Sequence, residues 1–160
     1  MTVRALKQAE SGFLADMLYE AIFIPEGHSP LPKEVIKDPS LSKYIANWGK
    51  DKFDIAWVAE ADHQLVGAVC GRLFTSEHKG FGYLGDRIPE LSMAVKKEYR
   101  NQGIGTSLMN AIASEYLEFG VAYLSLSVDK ANPAVNLYKR LGYEIAGETV
   151  TSLTMKKRLE

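Results

Sequence analysis

The sequence predicts an α/β domain, and three observations carry that expectation. Between Glu90 and Glu118 an alternating apolar pattern gives way to a helical one across two glycines. From Asp54 to Phe74, two runs rich in Ile, Val, Trp and Phe flank the short break Ala61-Asp62-His63, the pattern of an antiparallel hairpin. Beyond Gly120 a strand pattern, a short capped helix and two further strand patterns follow in turn. With 160 residues, 46% of them hydrophobic, one domain over residues 1–160 with a proper core is expected.

Taken in order, Thr2 to Lys7 reads as a first strand and Ala9 to Ile22 as a helix with Phe13, Met17 and Leu18 on its buried face. Phe23 to Pro32 contains Pro25, Gly27, Pro30 and Pro32, which stop a helix and leave a loop. Lys33 to Trp48 predicts one or two short helices interrupted at Pro39. The loop reads equally as a lid over a site and as plain connection. Tyr44 and Trp48 suit either a pocket wall or core packing. Thr75 to Pro89, with Gly80, Gly82 and Gly85 around Phe81 and Tyr83, reads as a flexible loop leading into Glu90.

Leu91, Met93 and Val95 alternate with Glu90, Ser92 and Ala94, a strand signature. Past Gly103 and Gly105, one helical arc collects Ile104, Leu108, Met109, Ala111, Ile112, Tyr116 and Phe119, with only Glu115 and Leu117 out of place. First-turn amides have no partner within a helix, and the macrodipole adds positive character there. Gly103 to Thr106 therefore reads either as a phosphate seat or as an ordinary helix start. Neither glycine is followed by Lys, and Leu108 stands where a dinucleotide fingerprint needs a small residue, so both of those nucleotide motifs are disfavoured.

Gly120 caps that helix. In the following strand, Ala122 to Val128, Leu124, Leu126 and Val128 share one face, and Ser125 and Ser127 the other. Small residues there match Ser92 and Ala94, so neighbouring strands would leave room for a ligand or a partly solvated face. Asn132 to Gly142 is a short helix with Asn at the N-cap, Pro next and Gly past the end. Its stripe of Ala134, Leu137, Tyr138 and Leu141 gives Tyr138 packing as its plainest role. Tyr143 to Gly147 and Val150 to Met155 close the chain as strands, and Lys156 to Arg158 as a solvated tail.

A net charge of -1 with charges of mixed sign points to neither nucleic acid nor an acidic membrane surface as partner. Cys70 stands alone, which excludes an internal disulfide and fits a reducing, cytoplasmic setting. It is expected to be a buried, inert thiol. His28, His63 and His78 lack ligand spacing, so no metal is expected. No apolar run approaches a membrane span and the start lacks a secretory pattern, so a soluble, unprocessed chain is expected.

Arg100-x-x-Gly103-x-Gly105 at the end of a strand bearing an acid, followed by Ser125-Leu126-Ser127-Val128, Asn132-Pro133-Ala134 and Leu137-Tyr138-x-x-Leu141-Gly142-Tyr143, resembles two blocks of the GNAT superfamily of N-acetyltransferases. The resemblance runs from about Asp54 to Met155, with Tyr143 where Phe is more usual. It implies a mixed, twisted central sheet of about seven strands flanked by helices, splayed between the strands ending at Val95 and Val128. Acetyl-coenzyme A would lie in the splay as co-substrate. The backbone of Ala94 and Val95 would meet its pantetheine arm, Arg100, Asn101, Gln102, Gly103, Ile104, Gly105 and Thr106 its pyrophosphate, Asn132 the pantetheine region and Tyr138 the sulfur.

The implied activity is direct acetyl transfer to a primary amine of a small molecule or peptide; the alternative is a non-catalytic acyl-coenzyme A binding module. An ammonium of pKa about 10.4 is mostly charged near neutrality, so the nucleophile needs a base. Glu90, beside the glycine loop, is the candidate, with a structural or surface carboxylate as its plainer role. A phenol can protonate a departing thiolate, which makes Tyr138 the candidate acid. A homodimer is the assembly the resemblance allows.

Overall fold

A computed structural model describes residues 1–160. Seven strands form one sheet in the order β1-β2-β3-β4-β5-β7-β6. They are β1 (Thr2–Ala5), β2 (Ile55–Ala61), β3 (Gln64–Arg72), β4 (Glu90–Val95), β5 (Tyr123–Asp129), β6 (Glu144–Glu148) and β7 (Ser152–Arg158). All neighbours are antiparallel except β4 and β5. β2 and β3 turn through Asp62 and His63, both at positive φ, the conformation that a two-residue hairpin with right-handed twist requires.

Helices cover both faces. α1 (Phe13–Glu20) packs on β3 and β4, and its Leu14 and Met17 join Ala56, Val58, Ala68, Cys70 and Ala94 in one cluster. α2 (Pro39–Ser42) is a single turn on the same side. On the opposite face lies α3 (Ile104–Glu118), whose Ile104, Leu108, Met109, Ile112 and Tyr116 are buried against Leu91, Val95, Leu124 and Leu126. α4 (Ala134–Arg140) adds Val135 and Tyr138 to that larger core. The even-numbered residues of β4 thus face α1 and the odd ones face α3, as strand alternation demands.

Several local expectations shift. The first helix is broken into a 3-10 turn over Gln8–Glu10 and α1. The break at Pro39 falls between a 3-10 helix over Lys33–Lys37 and α2: Pro39 sits in the first turn of α2, with the Asp38 side chain accepting from the Ser40 amide, a place where a missing N–H costs nothing. Phe119 lies past the end of α3 and is exposed. Glu115, which breaks the apolar arc, accepts from Trp57 Nε1 at 2.8 Å. Lys156, Lys157 and Arg158 are no tail: they pair with Ser125, Leu124 and Tyr123 along β5.

Candidate active site

β4 and β5 are joined at only two register positions, Glu90 with Ser125 and Leu91 with Leu126. Beyond them the strands diverge. The Lys96 amide bonds Val66 O on β3, so by antiparallel alternation Ser92 and Ala94 also turn their backbone groups to β3. Met93 and Val95 therefore present theirs to the opening. Val95 O is occupied by Arg100 Nε at 2.9 Å. The Met93 groups and the Val95 amide have no backbone partner across the opening. Ala94 borders the opening by position, but its amide belongs to the β3 ladder.

The opening leads to the start of α3. After a 3-10 turn over Lys97–Tyr99 the chain passes through Asn101 at φ 61 and Gly103 at φ +81. Glycine takes that left-handed conformation without the Cβ penalty, and Asn is among the side chains that tolerate it. The amides of Asn101, Gln102, Gly103, Ile104, Gly105 and Thr106 make no hydrogen bond; the first engaged is Ser107, to Gly103 O at 3.1 Å. Six consecutive free amides at a helix N-terminus form an anion seat. A Cβ at Gly105 would crowd the ends of the Leu137 and Met93 side chains, at 3.1 and 3.2 Å, so both would have to give way by a few tenths of an ångström. Arg100 turns back from the seat, with its outer nitrogen 3.5 Å from Glu20 on α1.

Asn132 Oδ1 accepts from the Ala134 amide at 2.9 Å and so caps α4. Tyr138, one face along, is buried edge-on against Tyr143. Its hydroxyl bonds no protein group, and burial pushes its pKa up to about 12. The Tyr143 hydroxyl is buried and unpartnered.

Glu90 is only 2% exposed. Burial raises its pKa; the Tyr44 hydrogen bond opposes the rise, and the Gly82 amide and Lys43 charge oppose it further. Tyr44 donates to Oε2, while Oε1 has no partner; the Gly82 amide approaches the carboxylate but falls short of hydrogen-bond geometry. Gly80 and Gly82 are there because nothing larger fits. A Cβ at Gly80 would lie 2.1 Å from Glu90 Oε1, and one at Gly82 would lie 2.6 Å from the Leu126 carbonyl carbon. The Gly80–Gly82 backbone is thus a strap across Glu90 and β5.

Met93 and Val95 on β4 and residues 101–106 at the start of α3 lie at the two ends of one 3-10 turn, with Glu90 on the α1 side of β4 and Tyr138 on α4. Tyr44, Gly80 and Gly82 join the site from distant parts of the chain. Of these, the glycine spacing around Phe81 and the aromatic Tyr44, which suits a pocket wall as well as core packing, were the visible signals. No group of three or more His, Cys, Asp or Glu is arranged to hold a metal ion, and no helix is long and apolar enough to cross a membrane.

A seven-stranded mixed sheet opened between two central parallel strands, with free amides where one of them runs into a helix, is the arrangement that the resemblance to the GNAT superfamily implies. The acetyltransferase (GNAT) family model matches residues 18–143, and the chain belongs to that family. It is 37% identical over 98 residues to an N-alpha-acetyltransferase of Sulfurisphaera tokodaii, a match that spans 55% of each chain. It is 32% identical over 117 residues to an uncharacterized N-acetyltransferase of Methanocaldococcus jannaschii, covering 71% of this chain and 67% of that one. Among solved structures, the PaiA N-acetyltransferase of Thermoplasma acidophilum in complex with coenzyme A superposes with a TM-score of 0.70 at 17% identity, over 99% of both chains.

Proposed function

We propose that this chain is an acetyl-coenzyme A dependent N-acetyltransferase that moves the acetyl group directly to a primary amine of a small molecule or peptide. The observation that carries it is a pair of unpaired backbone sets, the Met93 groups and Val95 amide beside the opening and the six amides of residues 101–106 where the same strand leads into α3. An extended polar arm bonds the first, and a pyrophosphate the second. When bound, acetyl-coenzyme A supplies an acetyl group activated as a thioester.

The chain's own residues divide the remaining work. Gly103 to Thr106 hold negative charge with uncharged donors and the α3 dipole. Arg100 braces the end of β4 through Val95 O. Asn132 fixes the start of α4 and so the position of Tyr138. Tyr138 keeps its proton at neutral pH. Full transfer to a thiolate of pKa about 8.5 runs uphill, so its contribution is a hydrogen bond that strengthens as charge builds on sulfur. Glu90, its pKa raised by burial, takes a proton from the amine near the operating pH. The similarity to an N-alpha-acetyltransferase supports a peptide amino-terminus as the acceptor.

A second reading, an acyl-coenzyme A binding module without turnover, draws on one observation: Glu90 Oε1 is enclosed. Free-thiol release from acetyl-coenzyme A across amines, amino acids and short peptides, with calorimetric cofactor binding beside it, separates the two. Binding with amine-dependent release supports the transferase. Binding without release across the panel supports the module.

A further inference from the structure

Tyr44 lies 46 positions from Glu90 in sequence, yet its hydroxyl meets the carboxylate in the buried interior. The direction of that bond is fixed by a second one. The Phe81 amide donates to the same Tyr44 oxygen at 2.7 Å, and an ionised Glu90 can only accept, so with the carboxylate charged the phenol proton is directed to Oε2.

The ring is held just as firmly. Tyr44 packs edge-on against Phe74 at 5.0 Å and parallel to Phe81 at 6.3 Å between centroids. The backbone on either side of it is gripped by Arg72, which donates to Lys43 O at 2.8 Å and Ala46 O at 2.9 Å. Arg72 is itself anchored by two hydrogen bonds to Asp54, at 3.0 and 2.7 Å. In register, Arg72 is the β3 partner of Glu90, but its guanidinium turns to Asp54 and leaves the glutamate without a cation in contact.

The transferase reading needs a carboxylate atom free to receive a proton, and this inference rests on that reading. We propose that Tyr44 is a positioning residue: it holds Glu90 by Oε2 and so leaves Oε1 as the atom that takes the amine's proton. In that step an N–H bond of the ammonium breaks, an O–H bond forms at Oε1, and the nitrogen keeps its electron pair. The Gly80–Gly82 strap encloses Oε1 and is tied at Phe81 to the same Tyr44 hydroxyl. Access to the atom therefore requires the strap to move. The other groups that bear on the Glu90 charge are Lys43, which stabilises it, and the neutral Cys70 thiol of β3, whose pKa burial raises to about 12.

The test is Tyr44→Phe, which keeps the ring between Phe74 and Phe81 and removes the donor. A carbon-detected titration of the Glu90 carboxyl should move upward by about one pH unit or more, and the acid limb of kcat/KM should move with it, with coenzyme A affinity unchanged. Replacing Tyr44 by 3,5-difluorotyrosine makes the phenol a stronger donor and should move both in the opposite direction. A Glu90 titration that stays put in both variants overturns the proposal, even in an active enzyme. Failure of the transferase reading shows separately, as absence of amine-dependent thiol release by the unaltered protein.

Discussion

Glu90 and Ser125 face each other across one of the two register positions that join β4 to β5, and each holds a buried polar atom with no hydrogen-bond partner. Paired residues of adjacent strands project to the same side, so both unsatisfied atoms lie on the α1 face, at the root of the opening. Leaving such atoms unpaired costs about 1–3 kcal/mol each. Ser125→Ala removes one of them without touching a hydrogen bond. The variant should be at least as stable as the parent in urea unfolding; a clear loss of stability would mean that the hydroxyl has a partner.

Glu90 gives a stability signature with a definite sign. Burial raises its folded pKa above the unfolded value, so the stability linked to this group is fully present below the ordinary glutamate pKa of about 4.3 and lost as pH rises through the raised value. Glu90→Gln cannot ionise. Its urea midpoint should exceed that of the parent at neutral pH, and the difference should shrink as pH falls. The same substitution should remove most amine-dependent turnover.

Tyr138→Phe deletes a hydroxyl that bonds no protein group, so folding should be unaffected. Turnover should fall roughly 100-fold if the Tyr138 hydroxyl hydrogen-bonds the developing thiolate, with coenzyme A binding by calorimetry within about twofold. Equal turnover in the variant would leave Tyr138 to its packing against Tyr143.

Gly103 separates backbone strain from charge. Its ideal Cβ meets nothing within 4 Å, but its φ is +81, so Gly103→Ala should cost only about 1–2 kcal/mol of stability. Gly103→Glu adds a carboxylate at the six free amides and should weaken coenzyme A roughly 100-fold or more. Calorimetry on the two variants side by side checks this; equal affinities would remove the seat from the cofactor site.

Arg72 and Asp54 form a buried pair at 2.7 Å, with side chains 12% and 2% exposed. Arg72→Met strands Asp54 and releases the backbone around Tyr44. A loss of about 3–5 kcal/mol is expected, much of it recovered in Arg72→Met with Asp54→Leu. Denaturant unfolding of the three proteins measures it, and no recovery in the double variant would trace the loss to the Lys43 and Ala46 carbonyls instead.

The parts of this molecule that sequence disclosed are those whose causes are local. Alternation in residues 90–95, the glycines that open α3, and the Asn-Pro start of α4 each act within a few residues, and so does the small-residue face of Ser125 and Ser127. What escaped depends on contacts far apart in the chain. Tyr44 suited a pocket wall or core packing alike, because the carboxylate its hydroxyl bonds is 46 residues away. Arg100 looked like a phosphate ligand, and nothing in its neighbourhood showed that Val95 O would claim its Nε. Lys156 to Arg158 looked solvated, because a strand with one face exposed carries lysines as readily as a tail does. The three glycines before Glu90 signalled a loop, while the reason for two of them, contact with Oε1 and with the β5 backbone, was invisible without coordinates.

A sheet that opens between its central strands has margins in its interior as well as at β1 and β6. The amides of Met93 and Val95 sit in the middle of the fold, yet they lack the neighbour that shields their counterparts on β3. In amide hydrogen exchange those two positions should behave like an outer strand while Val66 to Cys70 alongside exchange slowly. The outer margins stay open to solvent whatever is bound, so slowing at Met93 and Val95 would report occupancy of the interior margin from within the sheet itself.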